Sequence, residues 1–463
     1  MAARPFKRRG IASVLLVVLV LLLGLFARAS AAEEGPGKAA LEAQKAALFK
    51  KMLKEPTNLE VTFAYAKLAA RLGDYEGAAS ALERLLLFNP NLPRIDVELG
   101  ALYFRMGSFA LSRSYFEKAL AAHPPPKIKA RIDEYLAAID KALARSHWSG
   151  ALFLGAQYQS DANVAPGSAL IHSPIGDILL APQFVKQSDE NLFMNGSFLY
   201  SYDLLDQNRD AIEVTGLGFV NHYFTFDRLD LDFAELTAGP RLRFPQLSGA
   251  KNASFKPYLI LNEVGLGENQ YFYTYGGGIE YEETVWRDLF LKSSFEVRQK
   301  SFSNAPDRPL STGLDGRDAI LSLLASKPVT SHSSLSLEFD YLNQSTRFSY
   351  YANNTYAISA GYDIRYPDPL RITPYPFETS FFLSRTWSLY DAPDPCCNTS
   401  GNPSFFSPST RFDRHWRFGV SDALVLSPRA AIVLQLERDI VSSNLPLYHY
   451  TSDSVLIGPE IRF

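Results

Sequence analysis

The sequence predicts an α + β multidomain chain: N-terminal α-helical repeats followed by a transmembrane antiparallel β-barrel of about fourteen strands. Three observations predict it. Marker residues recur every 34 positions in the first third of the chain, apolar and polar residues alternate beyond Trp148, and 13% of the residues are aromatic in a chain only 47% hydrophobic. The last combination is that of a barrel with aromatic girdles outside and a polar lumen inside.

The first segment, residues 1–32, reads as a secretory signal. Lys7, Arg8 and Arg9 precede an apolar run from Ile11 to Phe26, and the small residues Ala29, Ser30, Ala31 and Ala32 follow it. The run is shorter than the ~20 apolar residues a spanning helix needs, so cleavage near Ala31 or Ala32 is expected.

Residues 33–147 carry the repeat. Gly73 pairs with Gly107, Tyr75 with Phe109, Leu82 with Phe116, and Pro56 with Pro90 and Pro124, all 34 residues apart. That is the tetratricopeptide period. The glycines suit inter-helix turns that need φ > 0, and the prolines end the second helix of each pair. Leu99, Gly100, Tyr103, Phe116 and Ala119 occupy helix-packing positions of the second unit. Residues 38–55 read as the second helix of a truncated repeat, and residues 127–145 as a polar capping helix with Lys129, Asp133, Asp140 and Lys141 on one face. The first helix of each pair would line a concave groove, which makes Phe63, Lys67, Arg71, Arg94, Phe104 and Arg105 candidate client contacts; internal packing of the two phenylalanines is the competing reading.

Residues 148–463 form the predicted outer-membrane barrel. In its last strand Val455, Ile457, Pro459, Ile461 and Phe463 share one face, while Ser454, Gly458, Glu460 and Arg462 share the other. Leu289, Leu291, Phe295 and Val297 similarly oppose Lys292, Glu296, Arg298 and Lys300, and Tyr273, Tyr275 and Ile279 oppose Glu280 and Glu282. Candidate lumen residues are therefore Glu280, Glu282, Lys292, Glu296, Arg298, Lys300, Glu437 and Asp439. Three long gaps, at 161–187, 303–315 and 391–412, all follow odd-numbered strands, as surface loops should when the chain leaves a periplasmic domain. Connections at 245–254 and 367–375 are longer than periplasmic turns usually are. The terminal Phe463 fits the signal read by the outer-membrane barrel assembly machinery, and outer-membrane lipid is the expected surrounding of the apolar face.

Catalytic chemistry finds little support. No H-E-x-x-H, G-x-S-x-G or phosphate-cradling G-x-x-x-x-G-K-[ST] occurs, the seven histidines are scattered, and the glycines at Gly276–Gly278 lack dinucleotide spacing. No catalytic, cofactor-binding or metal residue is assigned, no cofactor is expected, and the chain does not read as an enzyme. The formal charge of -3, without a sustained basic run after the first ten residues, removes the electrostatic footprint of a nucleic-acid binder. The only two cysteines, Cys396 and Cys397, are adjacent, compatible with a vicinal disulfide or with two free loop thiols.

The segment Gly155-Ala156-Gln157-Tyr158-Gln159-Ser160-Asp161-Ala162-Asn163-Val164-Ala165-Pro166, placed between helical repeats and a barrel of this size, resembles the surface lipoprotein assembly modifier (Slam) family. There a Gly/Tyr-rich first strand runs into a similar Asp/Asn-rich stretch. The resemblance implies a translocator that receives client lipoproteins or secreted proteins on periplasmic repeats and delivers them to the cell surface through the barrel. The chain departs from fuller members in having little more than two complete repeats. Two other readings stay open: an exopolysaccharide-export porin with a tetratricopeptide scaffold, and a plain porin with a periplasmic docking domain.

Overall fold

The computed structural model describes residues 36–463 apart from 56, 91, 174–175, 206–208, 245–250, 286–287 and 394–409. The expected signal segment, Pro56, Cys396 and Cys397 lie outside the described residues. The chain divides into two compact units, the first ending at Ala144 and the second spanning Arg145–Phe463.

The first unit contains helices α1 (Pro36–Lys54), α2 (Leu59–Arg71), α3 (Tyr75–Phe88), α4 (Pro93–Arg105), α5 (Phe109–Ala121) and α6 (Pro126–Leu143). Local chemistry sets their ends. The Asn58 side chain accepts the Val61 N–H at 3.3 Å and Asp74 accepts that of Gly77 at 2.9 Å, each satisfying an orphan donor of a first helical turn. Pro93 and Pro126 open α4 and α6, where a missing N–H costs nothing. The α2–α3 and α4–α5 turns pass through Gly73 at φ +85° and Gly107 at φ +73°, the left-handed conformation inferred from the repeat. Two apolar clusters hold the helices together. One joins α1 to α4 through Met52, Tyr65, Leu82, Leu85 and Leu99; the other joins α4 to α6 through Val97, Phe116, Ile132 and Ile139. A Cβ on Gly100 would lie 2.8 Å from the Phe116 ring, so this glycine admits the α4–α5 contact.

The second unit begins with β1 (Ser146–Gln159) and a small hairpin, β2 (Leu170–Ser173) and β3 (Gly176–Leu179). It continues through β4 (Asp189–Asp203), β5 (Ala211–Tyr223), β6 (Leu231–Arg243), β7 (Lys251–Leu266), β8 (Asn269–Val285) and β9 (Leu289–Phe302). Then come β10 (Gly316–Thr330), β11 (Ser333–Thr346), β12 (Asn353–Pro367), β13 (Pro376–Pro393), β14 (Thr410–Ser427), β15 (Ala430–Ser443) and β16 (Tyr450–Arg462). All except the β2–β3 hairpin form one closed antiparallel barrel in chain order, so fourteen strands encircle the lumen.

Closure is achieved between β1 and β16, with Ala151 opposite Arg462 and Tyr158 opposite Val455. Gly150 and Phe463 exchange both backbone hydrogen bonds at 3.0 Å. A Cβ on Gly458 would meet the Leu154 carbonyl at 2.1 Å, so the seam requires glycine there. The Phe463, Ile461 and Ile457 side chains are exposed, and Arg462 and Glu460 on the opposite face pair with each other, which is the sidedness read from alternation.

Two features differ from the sequence-based expectation. The β2–β3 hairpin lies inside the 161–187 gap, where its four-residue strands are too short for alternation to register. The connection at 245–254 is shorter because β7 begins at Lys251. The other long connection, 368–375, is built around Asp368, whose carboxylate accepts the N–H groups of Leu370 (2.8 Å), Ile372 (2.7 Å) and Thr373 (2.9 Å).

Candidate functional site: the barrel lumen and the repeat surface

Strand alternation turns one side chain in two toward the lumen, and register decides which of them meet. On β5 to β9 the inward positions form an ion-pair network, beside which Arg298 holds a separate group of its own. Arg241 is its hub: Nε is 2.8 Å from Glu213, Nη2 2.7 Å from Glu280 and Nη1 2.9 Å from Glu282. Lys256 lies 3.1 Å from Glu213, and Lys292 lies 2.6 Å from Glu280. Arg298 bridges Glu235 and Glu296 at 2.7 Å each, and the Tyr258 hydroxyl donates to Glu296 at 2.7 Å. The network lines a cavity of about 1040 Å³. Lys300 pairs with Asp318 of β10 at 2.5 Å.

A second cluster occupies β14 and β15, where Arg417 lies 2.8 Å from Glu437 and His415 Nε2 lies 2.6 Å from Asp439. All eight candidate lumen residues thus hold ion pairs on the inner wall, six in or beside the Arg241 network and two in this one. Sequence reasoning missed Glu213, Glu235, Arg241, Lys256, Tyr258 and Arg417. Their inward parity on their own strands was the available signal.

A different surface faces inward on β1, β4, β5 and β6. Phe153, Phe193, Phe219 and Phe233 form a ladder with successive ring centroids 6.3, 6.0 and 5.3 Å apart. Beside it Asn191 donates to Gln157 at 3.3 Å, and the Tyr223 hydroxyl donates to Gln159 at 2.5 Å. The lumen therefore offers fixed charges along one stretch of wall and aromatic faces along another. Among the described residues, no group of three or more His, Cys, Asp or Glu side chains is arranged to hold a metal ion.

The Asp161–Pro166 stretch has a mechanical role. The Asp161 carboxylate accepts the Ala165 N–H at 3.1 Å, and the Ser452 hydroxyl donates to the Asp161 carbonyl at 3.3 Å. Asn163 Nδ2 donates to the Val185 carbonyl at 2.8 Å while its Oδ1 accepts the Gln187 N–H at 2.9 Å. Lys186 Nζ then reaches the Thr451 carbonyl at 2.5 Å. The stretch ties both ends of the first long loop to the start of β16, beside the barrel seam. Burial pushes the Asp161 carboxyl above the usual range, against these hydrogen bonds and the nearby Lys186.

On the helical unit, Lys67, Arg71, Arg94 and Arg105 are exposed. The Arg94 guanidinium lies over the Phe63 ring at 4.7 Å, and Arg105 lies over Tyr75 at 5.9 Å. Phe63 is half-buried against the α1–α4 core. Phe104, expected as a groove contact, is instead an internal packing residue. It meets Phe109 at 5.5 Å and Tyr135 of α6 at 5.3 Å, because the capping helix covers it. Between the repeats, Glu83 accepts the hydroxyls of Tyr103 (2.6 Å) and Tyr115 (3.1 Å). Burial and the Glu83 charge together push the Tyr115 phenol up to about 12.

The chain matches no protein-family model and no curated protein. Among solved structures it is similar to MamA, at 18% identity over 22% of this chain, with a TM-score of 0.20. The match spans about half, 54%, of the MamA chain. It is also similar to PcrH in complex with the chaperone-binding region of PopD, at 15% identity over 30% of this chain and 96% of that one, TM-score 0.20. On the barrel side it is similar to the outer membrane protein OprD from Pseudomonas aeruginosa, at 9% identity over 69% and 94% of the two chains, TM-score 0.30. The anion-selective porin from Comamonas acidovorans is similar at 10% identity over 69% and 99%, TM-score 0.33. The class the fold itself defines is a tetratricopeptide-like helical domain followed by a closed fourteen-stranded barrel.

Proposed function

We propose that the protein is an outer-membrane translocator. Its repeats, in the periplasm, capture a surface lipoprotein or secreted protein, and its barrel supports passage of that client to the cell surface. The observation that carries this reading is covalent: only Ala144 and Arg145 separate the last repeat helix from the first barrel strand. A client bound to the repeats is thereby tethered to the barrel, which raises its local concentration there. The four exposed cations Lys67, Arg71, Arg94 and Arg105 suit an acidic client segment, and the mixed charge of the lumen suits a polar polypeptide. The test is surface display of a candidate client with and without the gene; unchanged display sinks the translocator reading. In the same assay, reversing Arg71 and Arg105 to Glu should weaken client capture roughly tenfold, with the folded barrel still heat-modifiable. Loss of the folded barrel in that variant would point to destabilisation instead.

One observation favours a second reading. The half-buried rings of Phe193, Phe219 and Phe233 present successive aromatic surfaces, on which the apolar faces of sugar rings stack, as export of an exopolysaccharide would use. Block of single-channel conductance by added oligosaccharide, lost in Phe219→Ala, would favour this reading over protein passage.

A further inference from the structure

The outward side of β13, β14 and β15 combines apolar, indole and guanidinium side chains. Phe381, Leu383 and Phe418 form an exposed apolar band there. Immediately toward the long-loop end, the same outward face carries Arg385 and Trp387 on β13 and Arg414 and Trp416 on β14. Register pairs them crosswise, Arg385 opposite Trp416 and Trp387 opposite Arg414. The Arg385 guanidinium lies 4.3 Å from the Trp416 ring centroid and 5.6 Å from that of Trp387. Among the described residues neither Arg385 nor Arg414 has a carboxylate partner. Arg438, on the same face of β15 opposite Phe418, lies 3.5 Å from Asp453.

Two unpaired arginines against an apolar band are unfavourable in a membrane unless they reach an anion at the interface. The Arg385 guanidinium lies against two indoles, and among the described residues it has no carboxylate partner. A guanidinium presents a bidentate donor pair matched to phosphate, and tryptophan sits by preference at headgroup depth. We propose that this patch binds the phosphate of an anionic membrane lipid in the leaflet on the long-loop side. Arg385 and Arg414 contact the phosphate, Trp387 and Trp416 flank it, and the acyl chains lie along Phe381, Leu383 and Phe418. The proposal rests on the barrel spanning a membrane, and it is independent of any client.

The test uses the full chain reconstituted in phosphatidylcholine vesicles with and without phosphatidic acid, then extracted and examined for retained lipid by native mass spectrometry. The wild-type protein should retain phosphatidic acid over phosphatidylcholine about tenfold, the preference expected of charge-assisted, bidentate contacts. Arg385→Gln with Arg414→Gln should abolish the preference, and Arg385→Lys with Arg414→Lys should restore part of it, since lysine keeps the charge but not the fork. Equal preference in the Gln double variant overturns the proposal. Displacement of the lipid by inorganic phosphate at matched concentration also overturns it, leaving a small-anion site. A wild-type barrel that inserts into vesicles and shows no preference refutes this proposal alone, whereas one that fails to insert refutes the membrane reading as well.

Discussion

The two units solve opposite solvent problems with the same side chains. In the helical unit Phe116, Ile132 and Ile139 are fully buried, and the exposed positions of α2 and α4 carry cations. In the barrel, apart from the inward Phe ladder, many large apolar side chains point outward, Leu259 being 71% exposed, while Glu213, Lys256 and Asp318 are buried on the inner wall. Charge divides the same way. Residues 36–144 contain sixteen Lys and Arg against twelve Asp and Glu, and residues 145–463 contain twenty-five against thirty-five. Exposure by itself therefore says little about an apolar residue until the solvent it faces is known.

The largest expected effect comes from the buried charges. Replacing Arg241, 12% exposed at its side chain, with Met removes the shared cation from Glu213, Glu280 and Glu282 and leaves three carboxylates to two lysines, Lys256 and Lys292. Breaking a buried pair this way should cost about 3–5 kcal/mol, read as a lower urea midpoint for the barrel reconstituted in vesicles. An unchanged midpoint would mean that Lys256, Lys292 and lumen water together compensate the three carboxylates.

A paired substitution addresses the two solvents directly. Leu87 of α3 is 82% exposed and Leu259 of β7 is 71% exposed. Leu87→Arg should change stability by no more than ~0.5 kcal/mol. Leu259→Arg should cost ~2–4 kcal/mol in a bilayer if it lies near the midplane. Equal effects at the two positions would break the contrast and remove the support for a membrane around the barrel.

The smallest effects are in pH dependence, and they run in opposite directions. The raised Tyr115 phenol stabilises the helical unit while it stays protonated. That contribution is intact below the ordinary phenol value near ~10 and is lost as the pH rises toward about 12, visible as late tyrosinate absorbance. Asp368, in the turn after β12, behaves inversely. The N–H groups of Thr373, Leu370 and Ile372 hold its carboxyl below the usual range. Its contribution is present above ~3.9 and lost as the pH falls through the lowered value. Amide exchange at Leu370 and Thr373 should therefore accelerate only in acid; acceleration already at neutral pH would show that the carboxylate does not organise the turn.

Much of the architecture was legible because its signals are local. A period of 34 residues locates Gly73 and Gly107 without knowledge of a partner helix, and alternation along one strand separates Ile457 from Glu460. The candidate site was legible only by halves. Alternation predicts that Glu280, Lys292 and Arg298 face inward, but not that Arg241 joins three carboxylates from two other strands. It missed the Phe ladder, whose rings come from four strands up to 80 residues apart. For Phe104 the groove assignment failed because a helical face lining a groove and one covered by a capping helix share the same spacing.

By itself the sequence determined the repeat, the change of period after Trp148 and the sidedness of the regularly alternating strands, since these depend only on φ/ψ preference and on which side chains neighbour one another along the chain. Only the tertiary structure decided the closure of β1 on β16, the use of the Asp161–Pro166 stretch as a clasp beside that seam, and the partners of each buried charge. The physical reason is register: these contacts bring together residues distant in the chain, and a slip of one residue would turn each inward carboxylate to the outer face of the barrel.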